Sequence, residues 1–214
     1  MNTDKPLILI SNDDGVSAKG INVLVETLAG LGQIVVMAPD GPRSGASGAI
    51  TSELPVRYYK VKEEKDLTVY KCSGTPVDCV KLAMFELLPR CPDLLIGGIN
   101  HGDNSAVNVH YSGTMGVVIE GCLKGVPAIG YSLCDHDADA DFGPMLPYVR
   151  RIAEEVLVHG LPKGTCLNVN VPKGTELKGV RICRQTDASW GNEWCRGQHP
   201  KGGEYFWLTG KFTN

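Results

Sequence analysis

Apolar residues along this chain follow two habits: short unbroken runs, and stripes spaced three or four apart. LILIS (7–11) is an unbroken run of strand length, the pattern of a strand buried on both faces. Residues 18–31 place Ile21, Val23, Leu24, Val25, Leu28 and Leu31 on a helical stripe that ends at Gly30 and Gly32. QIVVMA (33–38) is a second buried strand. Strand, helix and strand joined by short links predict a right-handed parallel crossover.

The pattern changes over 49–72, which alternates and is rich in charge. It predicts antiparallel strands with one wet face and a turn near Glu63 to Asp66. SGTPVDCVKLAMFELLPR then marks a helix start. Thr75 is the expected N-cap, Pro76 fits the first turn, and Asp78 can bond back in a capping box. DLLIGG (93–98) is a buried strand, YSGTMGVVIEGCLKG a helix with small residues at its start, and VPAIGYS a further strand. The sum is an α/β fold: a mostly parallel sheet covered by helices, with an inserted antiparallel meander.

Beyond residue 135 the signal weakens. A helix is expected over 143–159, starting near Pro144, with strands over 166–171 and 179–185 and an aromatic-rich strand over 204–212. The stretch 186–203 is Gly-rich and aperiodic. The expected division is a catalytic core over 1–135 and an extension over 136–214 that serves as an oligomerisation arm. An aromatic strand on a long tether suits pairing between subunits.

Ligands of doubly wound sheets sit outside the carboxyl ends of the strands. After the first strand come Asn12, Asp13, Asp14 and Gly15. After the second come Asp40, Arg43, Ser44, Gly45 and Ser47. After the strand at 93–98 come Asn100, Gly102 and Asn104, and the next helix opens with Ser112, Gly113 and Thr114. Oxygen-rich donors of this kind suit a hard cation such as Mg²⁺ or Mn²⁺. A cation also offsets the repulsion between the adjacent acids Asp13 and Asp14. SGASG offers backbone N–H groups to a phosphate, with glycine permitting close approach. Taken singly, each stretch is an ordinary turn, loop or cap. Their common position on one sheet edge makes them a candidate site. A dinucleotide fingerprint is excluded, because NDDGVSAKG lacks the GxGxxG spacing. A receiver-type phosphoacceptor is also excluded, because the later strand offers Asn100 where a third Asp belongs.

Composition narrows the partners. The 214 residues are 43% hydrophobic and 21% charged with a formal net charge of −3, and no run of Lys or Arg reaches four. A basic surface for a nucleic-acid duplex is not expected. No apolar run approaches the roughly 20 residues of a membrane span, so no membrane partner is expected. The opening MNTDKP lacks a basic-then-apolar leader pattern, which points to the cytoplasm. Eight cysteines form no CxxC pair, and free thiols in a reducing compartment are expected rather than a zinc site.

These residues also carry a resemblance. ILISNDDGVSAKGI, APDGPRSGASGAIT, CSGTPVDCVKLA and PDLLIGGINHGDNSAVNVHYSGTMGVVIEG resemble, in order, four motifs of the survival-protein-E (SurE) nucleotidases, and YFWLTG is similar to their late aromatic strand. The match spans nearly the whole chain. It implies a three-layer, Rossmann-like core and a C-terminal extension exchanged between subunits of a homodimer or homotetramer. It implies metal-dependent hydrolysis of nucleoside 5′- and 3′-monophosphates, and in some members of short polyphosphate. It places one divalent ion per subunit on Asp13, Asp14, Ser44 and Asn100. Phosphate contacts fall on Asn104, Ser112 and Thr114, with Asn12, Gly45 and Gly113 beside them. Asp13, Asn104 and Ser112 then form the catalytic set, the last two orienting phosphate and water. His101 and His110 are lesser candidates as proton donors. The chain departs from the family pattern at Asp103, Ser105 and Ala106, and at Gly41 and Pro42. Members usually continue past the position of Asn214 into another helix and strand. The alternative reading is a metal- and nucleotide-binding sensor or scaffold of the same fold without turnover, its cue the altered run GDNSAV.

Overall fold

The computed structural model describes residues 5–174 and 176–213. In chain order the elements are β1 (Leu7–Ser11), α1 (Lys19–Leu28), β2 (Gln33–Pro39), β3 (Tyr58–Glu64), β4 (Leu67–Cys72) and α2 (Pro76–Leu82), which runs on into a π-helical turn. Then come β5 (Leu94–His101), a 3₁₀ turn over Ala106–His110, α3 (Gly113–Leu123), β6 (Ala128–Cys134), α4 (Leu146–His159) and β7 (Leu167–Pro172). Four short strands follow: β8 (Ser189–Gly191), β9 (Trp194–Gln198), β10 (Glu204–Leu208) and β11 (Lys211–Thr213).

A seven-stranded sheet has the order β3-β4-β2-β1-β5-β6-β7, and every neighbouring pair is parallel except β3 with β4. The unbroken apolar runs find their reason here. Successive side chains of a strand point to opposite faces, so both faces of LILI must be covered. Ile8 and Ile10 pack in one cluster with Ile21, Leu24 and Leu28 of α1 and Val149, Ala153 and Val156 of α4. Leu7 and Leu9 pack in a second with Cys79 and Val80 of α2 and Met115, Val117 and Val118 of α3. The result is the expected three-layer α/β core.

The chain steps outward from β1 to β2 on one side, while β5, β6 and β7 extend the sheet on the other. The carboxyl ends of β1 and β5 therefore flank the switch point, where an α/β sheet leaves a crevice.

The expected antiparallel strands form as β3 and β4, turning between Glu64 and Leu67; β4 joins the main sheet beside β2, and β3 forms its antiparallel edge. Three other expectations shift. Residues 179–185 form no strand, and Val180 and Ile182 are exposed rather than packed. The aperiodic stretch 186–203 does contain strands: β8 pairs with β11, and β9 forms a hairpin with β10. Ribbons open on both faces have no core to impose alternation, so the pattern gives no warning of them. The compact layers also run later than residue 135, since β7 pairs with β6 and α4 lies in the core. The arm beyond β7 exposes Trp194, Phe206, Trp207 and Leu208. Among the described residues no helix is long and apolar enough to cross a membrane. All eight cysteines are free thiols.

Candidate active site

β1 ends at Ser11, and the turn that follows is closed by Asn12. Its Nδ2 donates to the Gly15 carbonyl at 3.0 Å, and the Gly15 N–H donates back to its Oδ1 at 3.1 Å. Between these residues stand Asp13 and Asp14. Asp13 is buried at the start of α3. Thr114 Oγ1 donates to its Oδ1 at 2.6 Å, and the backbone N–H groups of Gly113 and Thr114 also serve its carboxylate. A helix N-terminus favours such a charge. The approach requires Gly113, because a Cβ there would lie 2.6 Å from that of Asp13.

Both carboxyls are pushed above their ordinary value. For Asp13 the cause is burial, opposed by these hydrogen bonds. For Asp14 it is burial and then the neighbouring charge of Asp13, opposed by the nearby His101 and its backbone N–H. Among the described residues only Ser11 Oγ and Asp14 Oδ2 are buried side-chain oxygens without a hydrogen-bond partner. Both sit at the end of β1. A buried carboxylate oxygen with no donor is costly, and a cation in front of it removes that cost.

The other predicted residues arrive from three directions. The Arg43 N–H donates to the Asp13 carbonyl at 2.7 Å, which ties the loop after β2, the loop that carries Ser44, to the backbone of the acid pair. Ser44 and Gly45 are exposed. β5 carries one extra residue relative to β6 between Gly97 and Asn100, a bulge at the strand's site end. Asn100 Nδ2 donates to the carbonyls of His101 and Gly102 at 3.1 and 2.8 Å. Its side-chain oxygen is the atom it can offer to a ligand. Asn104 is buried and held by the strands beyond. Its N–H donates to Asn170 Oδ1 at 2.7 Å, its Nδ2 to Ser132 Oγ at 2.8 Å, and its carbonyl accepts from Asn168 Nδ2 at 2.8 Å. Ser112 caps α3, its Oγ accepting from the Met115 N–H at 3.0 Å.

The predicted phosphate contacts thus divide. Asn12 is committed to its own turn, and Gly113 and Thr114 to Asp13, so these three build the acid pair. Ser112 keeps a hydroxyl proton, Asn104 keeps a second amide proton, and Gly45 lies on the open loop, so these three can face a ligand. Asp103 folds back onto Ser105, whose hydroxyl and N–H both serve its carboxylate. Sequence reasoning missed Ser132, Asn168 and Asn170. The alternation in LNVNV was the available signal, since it puts both asparagines on one face of β7.

Among the described residues no group of three or more His, Cys, Asp or Glu could hold a metal. The donor set at the switch point is instead two carboxylates, an amide and a hydroxyl, which fits a hard divalent ion with few protein ligands.

Fold and site together define a doubly wound α/β protein with an acidic, oxygen-donor centre at its switch point. A family model described as Survival protein SurE matches residues 8–192, and the chain belongs to this family. It is 73% identical over its full length to a protein of Phocaeicola vulgatus named 5′-nucleotidase SurE, covering 83% of that protein. It is 62% identical, with the same two coverages, to a protein of the same name from Bacteroides thetaiotaomicron. The crystal structure of the SurE protein from Aquifex aeolicus matches 96% of this chain and 83% of its own, with a TM-score of 0.82 at 34% identity.

Proposed function

We propose that this protein is a metal-dependent phosphomonoesterase that hydrolyses nucleoside 5′-monophosphates, and 3′-monophosphates, to nucleoside and phosphate. The name 5′-nucleotidase SurE, carried by the relatives above, supports the substrate class. The observation that carries the metal dependence is the partnerless buried oxygen of Asp14 beside Asp13. Asp13, Asp14, Ser44 and Asn100 would hold one Mg²⁺ or Mn²⁺ per subunit. When bound, the ion supplies positive charge against which a phosphoryl group is polarised.

The chain's own residues do the rest. Asp13 is fixed by Thr114 and by the start of α3, so the acid pair is organised before substrate arrives. Ser112, Asn104 and the loop N–H groups at Gly45 donate to the equatorial phosphoryl oxygens, where charge resides in the transition state. Thr114 has a hydroxyl against a carboxylate but is fully buried, so attack falls to water positioned by Asn104 and Ser112. Water attacks phosphorus, the P–O ester bond breaks, and the nucleoside hydroxyl leaves. Subunits assemble as a homodimer or homotetramer through the aromatic ribbons of the arm, which are exposed in the single chain. Eight free thiols support a cytoplasmic setting.

A binder without turnover takes its cue from the altered run GDNSAV, where Asp103 is the added acid. That carboxylate is already served by Ser105 and does not displace the named donors. The test is phosphate release from a panel of nucleoside 5′- and 3′-monophosphates with Mn²⁺ or Mg²⁺. Release from the panel supports the enzyme, and tight nucleotide binding without release supports the binder.

A further inference from the structure

The motif SGTPVD has no part in the chemistry above, yet Asp78 is buried and accepts four hydrogen bonds. We propose that Asp78, with Thr51 and Thr75, is a positioning device for the active-site loop, fixing the far end of segment 40–51 so that Ser44 stays beside Asp13. The proposal rests on the reading of Ser44 as part of the site.

The near end of the segment is fixed by backbone bonds and by the pairing of Arg43 with Asp40 at 3.1 Å. The Asp40 N–H donates to the Cys72 carbonyl, and the Arg43 N–H to the Asp13 carbonyl, each at 2.7 Å. Midway, the Ser47 hydroxyl bonds the His110 carbonyl. Gly116 of α3 lets the loop settle there, because a Cβ would come within 2.3 Å of the Ser47 carbonyl. The far end rests on α2. Thr51 N–H donates to both oxygens of Asp78 at 3.1 and 3.2 Å, Thr51 Oγ1 to its Oδ2 at 2.6 Å, and Thr75 Oγ1 to the Ala49 carbonyl at 2.7 Å.

A capping box needs only the exchange between Thr75 and Asp78, and that exchange is complete without Thr51. The bonds from Thr51 go beyond what a helix start requires. Within the loop only turn bonds order the chain, from the Ala46 N–H to the Arg43 carbonyl and from the Ala49 N–H to the Ala46 carbonyl, each at 3.0 Å, while Ser44, Gly45, Gly48, Ala49 and Ile50 are exposed. Loops with few apolar contacts open locally unless polar anchors hold them. The start of α2 therefore anchors the far end of the loop through the Asp78 carboxylate and the Thr75 hydroxyl.

The experiment uses the full chain with Thr51→Val, which removes the hydroxyl at nearly constant shape, and Thr51→Ser, which restores it. Three quantities are read: amide hydrogen exchange over residues 43–51 and over α2 without added metal, Mn²⁺ affinity from the electron paramagnetic resonance of the free ion, and kcat with KM. Thr51→Val is expected to speed loop exchange about tenfold, the loss of one buried hydrogen bond. It should leave α2 exchange unchanged, weaken Mn²⁺ several-fold, and raise KM with kcat at saturation little changed. Thr51→Ser should return all of these toward wild type. Unchanged loop exchange in Thr51→Val overturns the proposal. So does loosening of α2 and loop together with unchanged Mn²⁺ affinity, the mark of a purely structural bond. Faster loop exchange and weaker Mn²⁺, with wild-type protein that releases no phosphate, would uphold the positioning role and count against the nucleotidase reading alone.

Discussion

Thr114 Oγ1 and Asp13 Oδ1 lie 2.6 Å apart, both buried and from segments 101 residues apart in sequence. The bond joins the end of β1 to the start of α3 and fixes the direction of the Asp13 carboxylate. Thr114→Val keeps the shape and deletes the donor, leaving a buried carboxylate short of one bond. A loss of about 1–3 kcal/mol follows, or roughly 5- to 150-fold in kcat/KM at limiting metal. Thr114→Ser should recover most of it. Steady-state kinetics of the two variants across a metal titration check this.

Asp14 stands in the opposite condition. Its buried oxygen has no donor, and its charge faces that of Asp13. In the metal-free protein it opposes folding, as residues kept for chemistry often do. Asp14→Asn is therefore expected to leave the fold intact and raise the metal-free Tm by about 2–4 °C, the shift that roughly 1 kcal/mol gives in a chain of this size. Scanning calorimetry in a chelator is the check, and a lower Tm would count against an acid pair whose charges repel when no cation offsets them.

Acid stability follows from carboxyls outside the acid pair. Hydrogen bonds from Arg90, at 2.7 and 2.9 Å, hold Asp93 below its ordinary value of 3.8, and the Leu7 N–H adds a third. Burial raises Asp78, but the bonds from Thr51 and Thr75 outweigh it and hold it low. A carboxyl whose folded pKa is depressed stabilises above its unfolded pKa, and that stability is lost as pH falls through the folded value. Asp93→Asn should thus be less stable than wild type near about pH 6, and the difference should shrink as pH falls below the ordinary value of 3.8 and through the depressed folded value. Urea unfolding midpoints across this pH range measure the difference.

The arm offers a separate test. Phe206, Trp207 and Leu208 stand open on β10. If the arm joins subunits as proposed, Trp207→Glu with Leu208→Glu should sediment as a monomer where the unaltered chain sediments as a larger species, with the far-ultraviolet spectrum of the core nearly unchanged. An unchanged assembly would place the subunit contact elsewhere.

Much of the core is legible in the sequence, because buried strands and amphipathic helices have fixed periods. LILI and QIVVMA become β1 and β2, and the capping box at Thr75 and Asp78 forms as its spacing predicts. The site is legible as an address, since Asp13, Asp14, Ser44 and Asn104 follow parallel strands, Asn100 stands at the carboxyl end of β5, and Ser112 opens the next helix. What the residues do there is less so. Asn12, Gly113 and Thr114 read as ligand contacts by position, yet their polar groups turn inward to build the acid pair. Spacing gives a residue's place along an element, whereas the partner of a buried side chain comes from segments far away in sequence. Asn168 and Asn170, which hold Asn104, lie more than 60 positions from it. The ribbons of the arm are hidden for a different reason: with no core beneath them, no alternation is imposed.

Under the proposed function, Asp13 and Asp14 form an acid pair made for a divalent ion in phosphate-ester hydrolysis. The most direct measurement strips the purified protein of metal, then follows phosphate release from a nucleoside 5′-monophosphate as Mn²⁺ is added back, for wild type and Asp14→Asn side by side. Wild type should be silent when stripped and recover saturably with Mn²⁺, while Asp14→Asn, folded by circular dichroism, stays silent throughout. Full turnover by the stripped enzyme, or wild-type turnover by Asp14→Asn, would contradict the account.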